Sequence, residues 1–467
     1  VAQTKQPNIL VFFTDDHGQW AAGCYGNSEL HTPTMNYIAE TGARMDQAYT
    51  PCPVCSPARA SFWTGRIPSM HGVHDYIQEP GSGSSHPGII GQPNLAQHLQ
   101  SAGYQTGLTG KWHCQAPWEV QPGFDFWFSM TCGTNARFAE QTFNDNGTEV
   151  KQFGHQAPMI TDAALRYIQQ RDAEKPMFLF VGYTDTHSPH AMSPERLVSR
   201  YRHCSFRDVP EEQFISAHGS PKAPKPDDAD QHREYLAQYY AAVTMIDEQM
   251  GRIIDELDSL GELDNTLIIY TSDHGHMNGH HGLYYKGNST TPQNLLDESV
   301  RVPCLLRWPE YINAGQSTDM FVDHCDTYAT VLDAAGVTLD DNLKQSINSP
   351  GRSYLPALCG KQSNWRDEQY CEYGNARMIR TKTHKLIRRY PGPNGTWPDE
   401  FYDLVNDPRE QTNSFDQPAN AQLIEQMTAK LDQYFGRYED PNKSGRDIAR
   451  QPICNPVEPW VRDPSYQ

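Results

Sequence analysis

The chain has 467 residues, of which 37% are hydrophobic and 20% charged, with a formal net charge of -19. Apolar residues recur in short blocks along its whole length, which argues against a disordered chain and suits one large core with a smaller companion domain. The excess of 57 acidic over 38 basic side chains argues against a broad nucleic-acid binder. The absence of an apolar run near the roughly 18 residues of a membrane helix argues against membrane insertion.

The first apolar block, Asn8 to Phe13, runs into Thr14-Asp15-Asp16-His17-Gly18. It reads as a buried central strand that stops in a polar loop. Residues 31–43 read as a helix, with Pro33 near its start and Met35, Ile38 and Ala39 on one face. Cys52-Pro53-Val54-Cys55 has the spacing of a redox pair or half a zinc site, although no second close pair follows among the 11 cysteines. Residues 75–92 are rich in loop formers. A helix over 93–102 is followed by a short strand and the loop Thr109-Gly110-Lys111-Trp112-His113.

A further helix is expected over 161–171. The apolar run 176–182 reads as a second central strand ending near Asp185, His187 and His190. The stretch 191–230 is loop-rich, and with 75–92 it is a candidate rim around a cleft. A long helix follows over 231–258. A third buried strand at Leu267–Tyr270 ends in Ser272-Asp273-His274-Gly275. Strands alternating with helices imply an α/β sandwich around a mostly parallel sheet, with ligands outside the carboxyl ends of the strands. Near residue 360 the pattern changes: 377–389 alternates, 401–404 is short, and a helix falls at about 419–434. The domains are therefore expected at 1–356, with the chemistry, and at 357–467, a smaller α+β unit with a short antiparallel sheet.

Asp15-Asp16 and Asp273-His274 each stand at the mouth of a buried strand. Adjacent carboxylates there repel unless a cation or proton is shared between them. A hard divalent ion relieves this. Oxygen ligation favours Ca²⁺ or Mg²⁺, and the His274 nitrogen keeps Mn²⁺ and Zn²⁺ open. Arg59, Lys111, His113, His187 and Lys286 add cations and imidazoles, which beside a metal make a site for an oxyanion such as sulfate or phosphate.

These motifs resemble the type I, formylglycine-dependent sulfatase family of the alkaline-phosphatase-like superfamily. Cys55-Ser56-Pro57-Ala58-Arg59 followed by Thr64-Gly65-Arg66 is similar to the family's modification signature. Ala58 stands where the commonest form has Ser. Gly110-Lys111-Trp112-His113, Thr186-His187-Ser188-Pro189, Ser272 to Gly275, and the segment His281 to Lys286 resemble further motifs in the family's order. Thr186 departs from the usual proline. Glu298 to Pro303 and Tyr402 to Pro408 match scaffold motifs, so the resemblance covers about the whole chain.

The resemblance implies an alkaline-phosphatase-like α/β sandwich with a central, mostly parallel sheet, and an enzyme that hydrolyses a sulfate ester. Cys55 would be oxidised by a formylglycine-generating enzyme, and its hydrate on the metal would be the nucleophile. Asp15, Asp16, Cys55, Asp273 and His274 would hold one divalent metal, Ca²⁺ preferred. Lys111 and Lys286 would clamp the sulfuryl oxygens, His187 would protonate the leaving alcohol, and His113 would take the proton that releases sulfate. Arg59 would orient the modified residue. Asp185, His190 and His281 are candidate substrate contacts. Polar rims favour a sulfated carbohydrate, attacked at a terminal unit, and a periplasmic or secreted enzyme whose signal peptide has been removed. The competing readings are a phosphonate or phosphate ester hydrolase of the same superfamily and a non-catalytic sulfated-glycan binding protein.

Overall fold

A computed structural model describes residues 6–78, 84–132, 138–210, 220–221, 226, 228–361, 364–393 and 395–460. The strands in chain order are β1 Asn8–Thr14, β2 Ala43–Ala48, β3 Gln105–Gly110, β4 Phe126–Met130, β5 Phe138–Asp145, β6 Thr148–His155 and β7 Met177–Gly182. They continue as β8 Ser220–Pro221, β9 Thr266–Ser272, β10 Thr290–Thr291, β11 Cys304–Arg307 and β12 Gln316–Val322. The C-terminal strands are β13 Gln369–Tyr373, β14 Ala376–Arg380, β15 His384–Arg389 and β16 Glu400–Asp403.

A ten-stranded mixed sheet has the order β12-β2-β11-β9-β1-β7-β3-β4-β5-β6. Its centre, β9-β1-β7-β3-β4, is parallel. The register aligns Phe13 with both Gly182 and Thr271, and Gly110 with Gly182. Four loops therefore leave one edge at one level, as expected for an α/β site.

Side chains of β1 alternate between two cores. Leu10 and Phe12 join the layer built with helices Gln156–Gln170 and Ala229–Ser259. Ile9, Val11 and Phe13 face the layer with Phe62, Trp63 and Tyr328. Both faces are covered, which is why β1, β7 and β9 read as unbroken apolar runs.

The second sheet, β13-β14-β15-β16, is antiparallel. Helix Ala421–Tyr438 lays Ile424, Met427, Leu431 and Phe435 on Ile379, Leu386 and Phe401. Its other face packs Cys371, Tyr373 and Met378 with Tyr49, Cys52 and Val54, the segment that leads into Cys55. The amide of Glu372 donates to the Pro51 carbonyl at 2.9 Å. Cys52 is thus a core residue of this contact and a free thiol, and the Cys52/Cys55 spacing does not form a bonded pair.

Several elements differ from the sequence reading. The helix expected over 31–43 ends at Glu40, and Ala43–Ala48 is β2, with Ala43, Met45 and Ala48 buried between partly exposed neighbours. The helix expected at 161–171 spans Gln156–Gln170. Strands β5 and β6 form a hairpin that the sequence reading lacks. Of the loop-rich stretches, residues 79–83, 211–219, 222–225 and 227 lie outside the described residues. Among the described residues, no helix is long and apolar enough to cross a membrane.

Candidate active site

Asp15 and Asp16 leave the end of β1, and Asp273 and His274 leave the end of the adjacent β9. All four are fully buried. His274 Nε2 lies 3.2 Å from Asp16 Oδ1, 3.3 Å from Asp273 Oδ1 and 3.8 Å from Asp15 Oδ1. Cys55 opens helix Cys55–Thr64, and its thiol points into the same cluster. Its Sγ is 3.4 Å from Asp15 Oδ1, 3.5 Å from His274 Nε2 and 3.0 Å from Lys286 Nζ.

Basic groups close over the acids. Lys111 pairs with Asp15, and Lys286 Nζ donates to Asp16 Oδ1 at 2.6 Å. Arg59, one turn into the helix from Cys55, donates from Nε to Asp273 Oδ2 at 3.1 Å and from Nη1 to the Lys111 carbonyl at 3.0 Å. His113 and His187 stand beside the Cys55 thiol, with His113 Nε2 on the Ile77 carbonyl oxygen at 3.1 Å and His187 Nδ1 on the Ser188 carbonyl oxygen at 2.6 Å. The sequence reading therefore chose residues from five separate segments that the fold brings to one thiol.

Two glycines make this approach possible. A Cβ on Gly110, at φ 98°, would lie 2.0 Å from the Gly182 carbonyl oxygen, so only glycine lets Lys111 leave β3 here. A Cβ on Gly287 would meet Pro53 Cγ at 2.5 Å, so the Lys286 segment rests directly on the turn before Cys55. Non-glycine residues with positive φ crowd the same edge: Asp16, His113, Thr186, Asn278, His281 and Tyr285. Backbone strain of this kind persists where a surrounding site requires it.

The electrostatics follow from the geometry. Burial pushes the Cys55 thiol up, but Lys111, Lys286 and the neighbouring His113 and His187 imidazoles outweigh it and hold the thiol well below its ordinary value. Burial also opposes ionisation of Asp15, yet Lys111, His187 and Arg59 hold it below the carboxylate range. Asp273 is pushed up to about 7 by burial and by Asp15. His113 is lowered to about 4 by burial and by Lys111, which leaves a neutral imidazole able to accept a proton. Burial disfavours a charged His274, but Asp273 and Asp16 raise it to about 9.

Donor atoms of Asp15, Asp16, Cys55 and His274 all lie within 4.8 Å of one another. Asp16 Oδ2 is buried without a hydrogen-bond partner. An orphaned carboxylate oxygen beside two further carboxylates and an imidazole, with Lys111 on Asp15 and Lys286 on the other Asp16 oxygen, is the donor chemistry of a hard divalent cation. These residues fit such an ion. Asp273, expected among the ligands, turns Oδ2 to Arg59 while Oδ1 accepts from the Asp16 and His274 amides at 3.2 and 2.9 Å.

Asp185 is buried on the loop that carries His187. His190 packs edge-on against Tyr235 at 4.2 Å and His276 at 5.3 Å. His281 Nε2 is 2.7 Å from Glu298 Oε2. His276, two residues after His274, brings Nδ1 within 3.5 Å of Asp16 Oδ2 and stacks on Tyr239 at 5.2 Å. His324 Nε2 contacts the Asp273 carbonyl oxygen at 3.0 Å, a contact no local motif announces.

A family model described as "Sulfatase" matches residues 7–337. The chain belongs to the sulfatase family. A second model, for the C-terminal part of N-sulphoglucosamine sulphohydrolase, matches residues 279–436 of this sulfatase. It is 27% identical to an N-acetylglucosamine-6-O-sulfatase of Bacteroides thetaiotaomicron, covering 94% of this chain and 88% of the relative. It is also 27% identical to an ulvan-active sulfatase of Formosa agariphila, covering 95% and 83%. A solved structure holding its substrate D-glucosamine-2-N,6-O-disulfate superposes with a TM-score of 0.78 at 26% identity, over 94% of this chain and 99% of the other. The fold and the buried acid, thiol and imidazole cluster agree with the formylglycine-dependent branch, and the protein is a sulfate-ester-hydrolysing enzyme.

Proposed function

We propose that this sulfatase removes sulfate from a sulfated carbohydrate, acting at a terminal sugar unit, after Cys55 has been converted to formylglycine. The observation that carries the reading is Cys55 itself: a buried thiol at a helix start, 3.0 Å from Lys286 and ringed by Asp15, His274, His113 and His187. The named substrates of the relatives, an N-acetylglucosamine 6-O-sulfate, ulvan and a glucosamine disulfate, support the sugar assignment. Maturation would need a formylglycine-generating enzyme, and a periplasmic or secreted setting suits a polysaccharide substrate.

Asp15, Asp16 and His274, with residue 55 and Asp273 beside them, would hold one divalent ion, for which Ca²⁺ suits the oxygen donors. When bound, that ion would supply Lewis-acid activation of the oxygen nucleophile and neutralise sulfuryl charge. Lys111 and Lys286 bind the sulfuryl oxygens and fix them for in-line attack. Arg59 balances Asp273 and holds the Lys111 carbonyl, which keeps the helix start in register with that lysine. His187 stands where it can give a proton to the alcohol oxygen; a sugar alkoxide is a poor leaving group without one. His113, neutral at pH 7, takes a proton from the residue-55 side chain as sulfate departs.

The test is release of inorganic sulfate by the full chain, co-produced with a converting enzyme and supplied with Ca²⁺. Substrates are sulfated glucosamines, ulvan oligosaccharides and 4-nitrophenyl sulfate. Sulfate release from a sugar is expected. Cleavage of a phosphonate monoester in preference to every sulfate would install the phosphonate reading instead. Binding of sulfated glycan without turnover would install the binding-protein reading.

A further inference from the structure

Tyr285 has a backbone that its side chain should avoid. Its φ is 70°, a region that an aromatic L-residue rarely adopts. The strain sits between two fixed points. The Met277 amide donates to the Tyr285 carbonyl at 2.8 Å, and the Gly287 amide donates to the Pro53 carbonyl at 3.3 Å. Between them the extended Lys286 drives Nζ inward to Asp16 and Cys55. The turn needs a left-handed residue at 285, and glycine would fill it without strain.

The side chain of Tyr285 goes to the site. Its neighbour Tyr284 is 5% exposed and packs against His232 and Tyr235 at 5.6 and 5.7 Å. Tyr285 is half-buried, sets its ring against His276 at 6.2 Å and 64°, and places its hydroxyl beside Ser188. His276 in turn brings Nδ1 within 3.5 Å of Asp16 Oδ2, and Ser188 follows His187, so the ring lies between the loop bearing Lys286 and the loop bearing His187. A packing residue could lie on either side of this turn. A ring held at positive φ and set against the imidazole that reaches Asp16 is aimed.

We propose that Tyr285 is a specificity-determining residue that presents its ring to the pyranose of the sulfated sugar beside the oxygen that leaves sulfur. The proposal rests on the sulfated-sugar reading above. A pyranose carries an apolar C–H face that suits the electron-rich face of a phenol ring. The contact with His276 sets the ring plane, so the sugar is held with its ester oxygen near His187. A flat aryl sulfate, whose phenolate leaves without a proton, needs that orientation less.

The experiment compares Tyr285→Gly and Tyr285→Phe with the parent on a sulfated glucosamine and on 4-nitrophenyl sulfate, with thermal melts of all three. For Tyr285→Gly, kcat/KM on the sugar should fall about tenfold or more, carried largely by KM, against a loss below about threefold on the aryl ester. Its Tm should not fall, because glycine accepts the turn. Tyr285→Phe keeps the ring and should stay within about threefold of the parent on the sugar. Equal losses on both substrates, or a lowered Tm with both activities lost together, would overturn the proposal and leave Tyr285 a structural residue. A parent enzyme that turns over the aryl ester but no sulfated sugar would remove the sugar reading itself, and this proposal with it.

Discussion

At the catalytic edge, Asp15, Asp16 and Asp273 are buried with one carboxylate oxygen left without a hydrogen-bond partner and strained residues on every side. Behind the C-terminal sheet, Asp297 is also buried, but Arg380 meets it at 3.0 Å and Lys385 at 2.6 Å, and Lys385 also pairs with Glu410. Both regions hold the Asp297 and Asp15 carboxyls below the usual range against the pull of burial. The difference lies in what the partners are for. Around Asp297 each charge is answered by a fixed opposite charge, and the network ties residues 297–301 to β14 and β15. Around Asp16 the answer is incomplete, and the cations that approach it also approach a thiol. Buried charge alone marks neither region as a site; unmatched donors converging on a nucleophile do.

Substitutions can break that contrast. Cys55→Ala should abolish sulfate release by more than about 10⁴-fold with no loss of Tm, because the nucleophile goes and the fold does not depend on it; steady-state assays beside thermal melts check both halves. Lys385→Met should do the reverse. It leaves Asp297 and Glu410 buried without their lysine and should cost about 3–5 kcal/mol in urea unfolding. The fraction that remains folded should keep its kcat. Adding Ca²⁺ to chelator-treated protein should raise Tm, by the equivalent of about 2.7 kcal/mol at a hundredfold excess over Kd. In Asp16→Asn the rise should shrink or vanish. The exposed pair Arg196–Glu248, at 2.6 Å, supplies the lower end of the scale. Its removal should change stability by less than about 1 kcal/mol.

Much of the site could be read from the chain because its chemistry is carried by short motifs at the ends of central strands. Asp15-Asp16 and Asp273-His274 follow apolar runs whose burial on both faces leaves no amphipathic ambiguity. The errors lie where strands are half-exposed. In β2, Arg44, Asp46 and Gln47 alternate with buried Ala43, Met45 and Ala48, a short pattern that the sequence reading leaves unassigned beyond Ala43. The β5–β6 hairpin carries few buried residues, yet its turn is Asn146-Gly147, with φ of 50° and 92°, and that dipeptide between strands is a strong hairpin signal. Tyr285 and His324 had no such signal. What marks them is a backbone angle and a contact across 51 residues to Asp273, neither of which a linear pattern encodes.

The most direct test of the account is peptide mass spectrometry across Cys55, on protein made with a converting enzyme and assayed from the same preparation. The account predicts a loss of about 18 Da relative to the thiol, localised to residue 55, with specific activity rising in proportion to the converted fraction. Full turnover from protein whose Cys55 remains an unmodified thiol would contradict it.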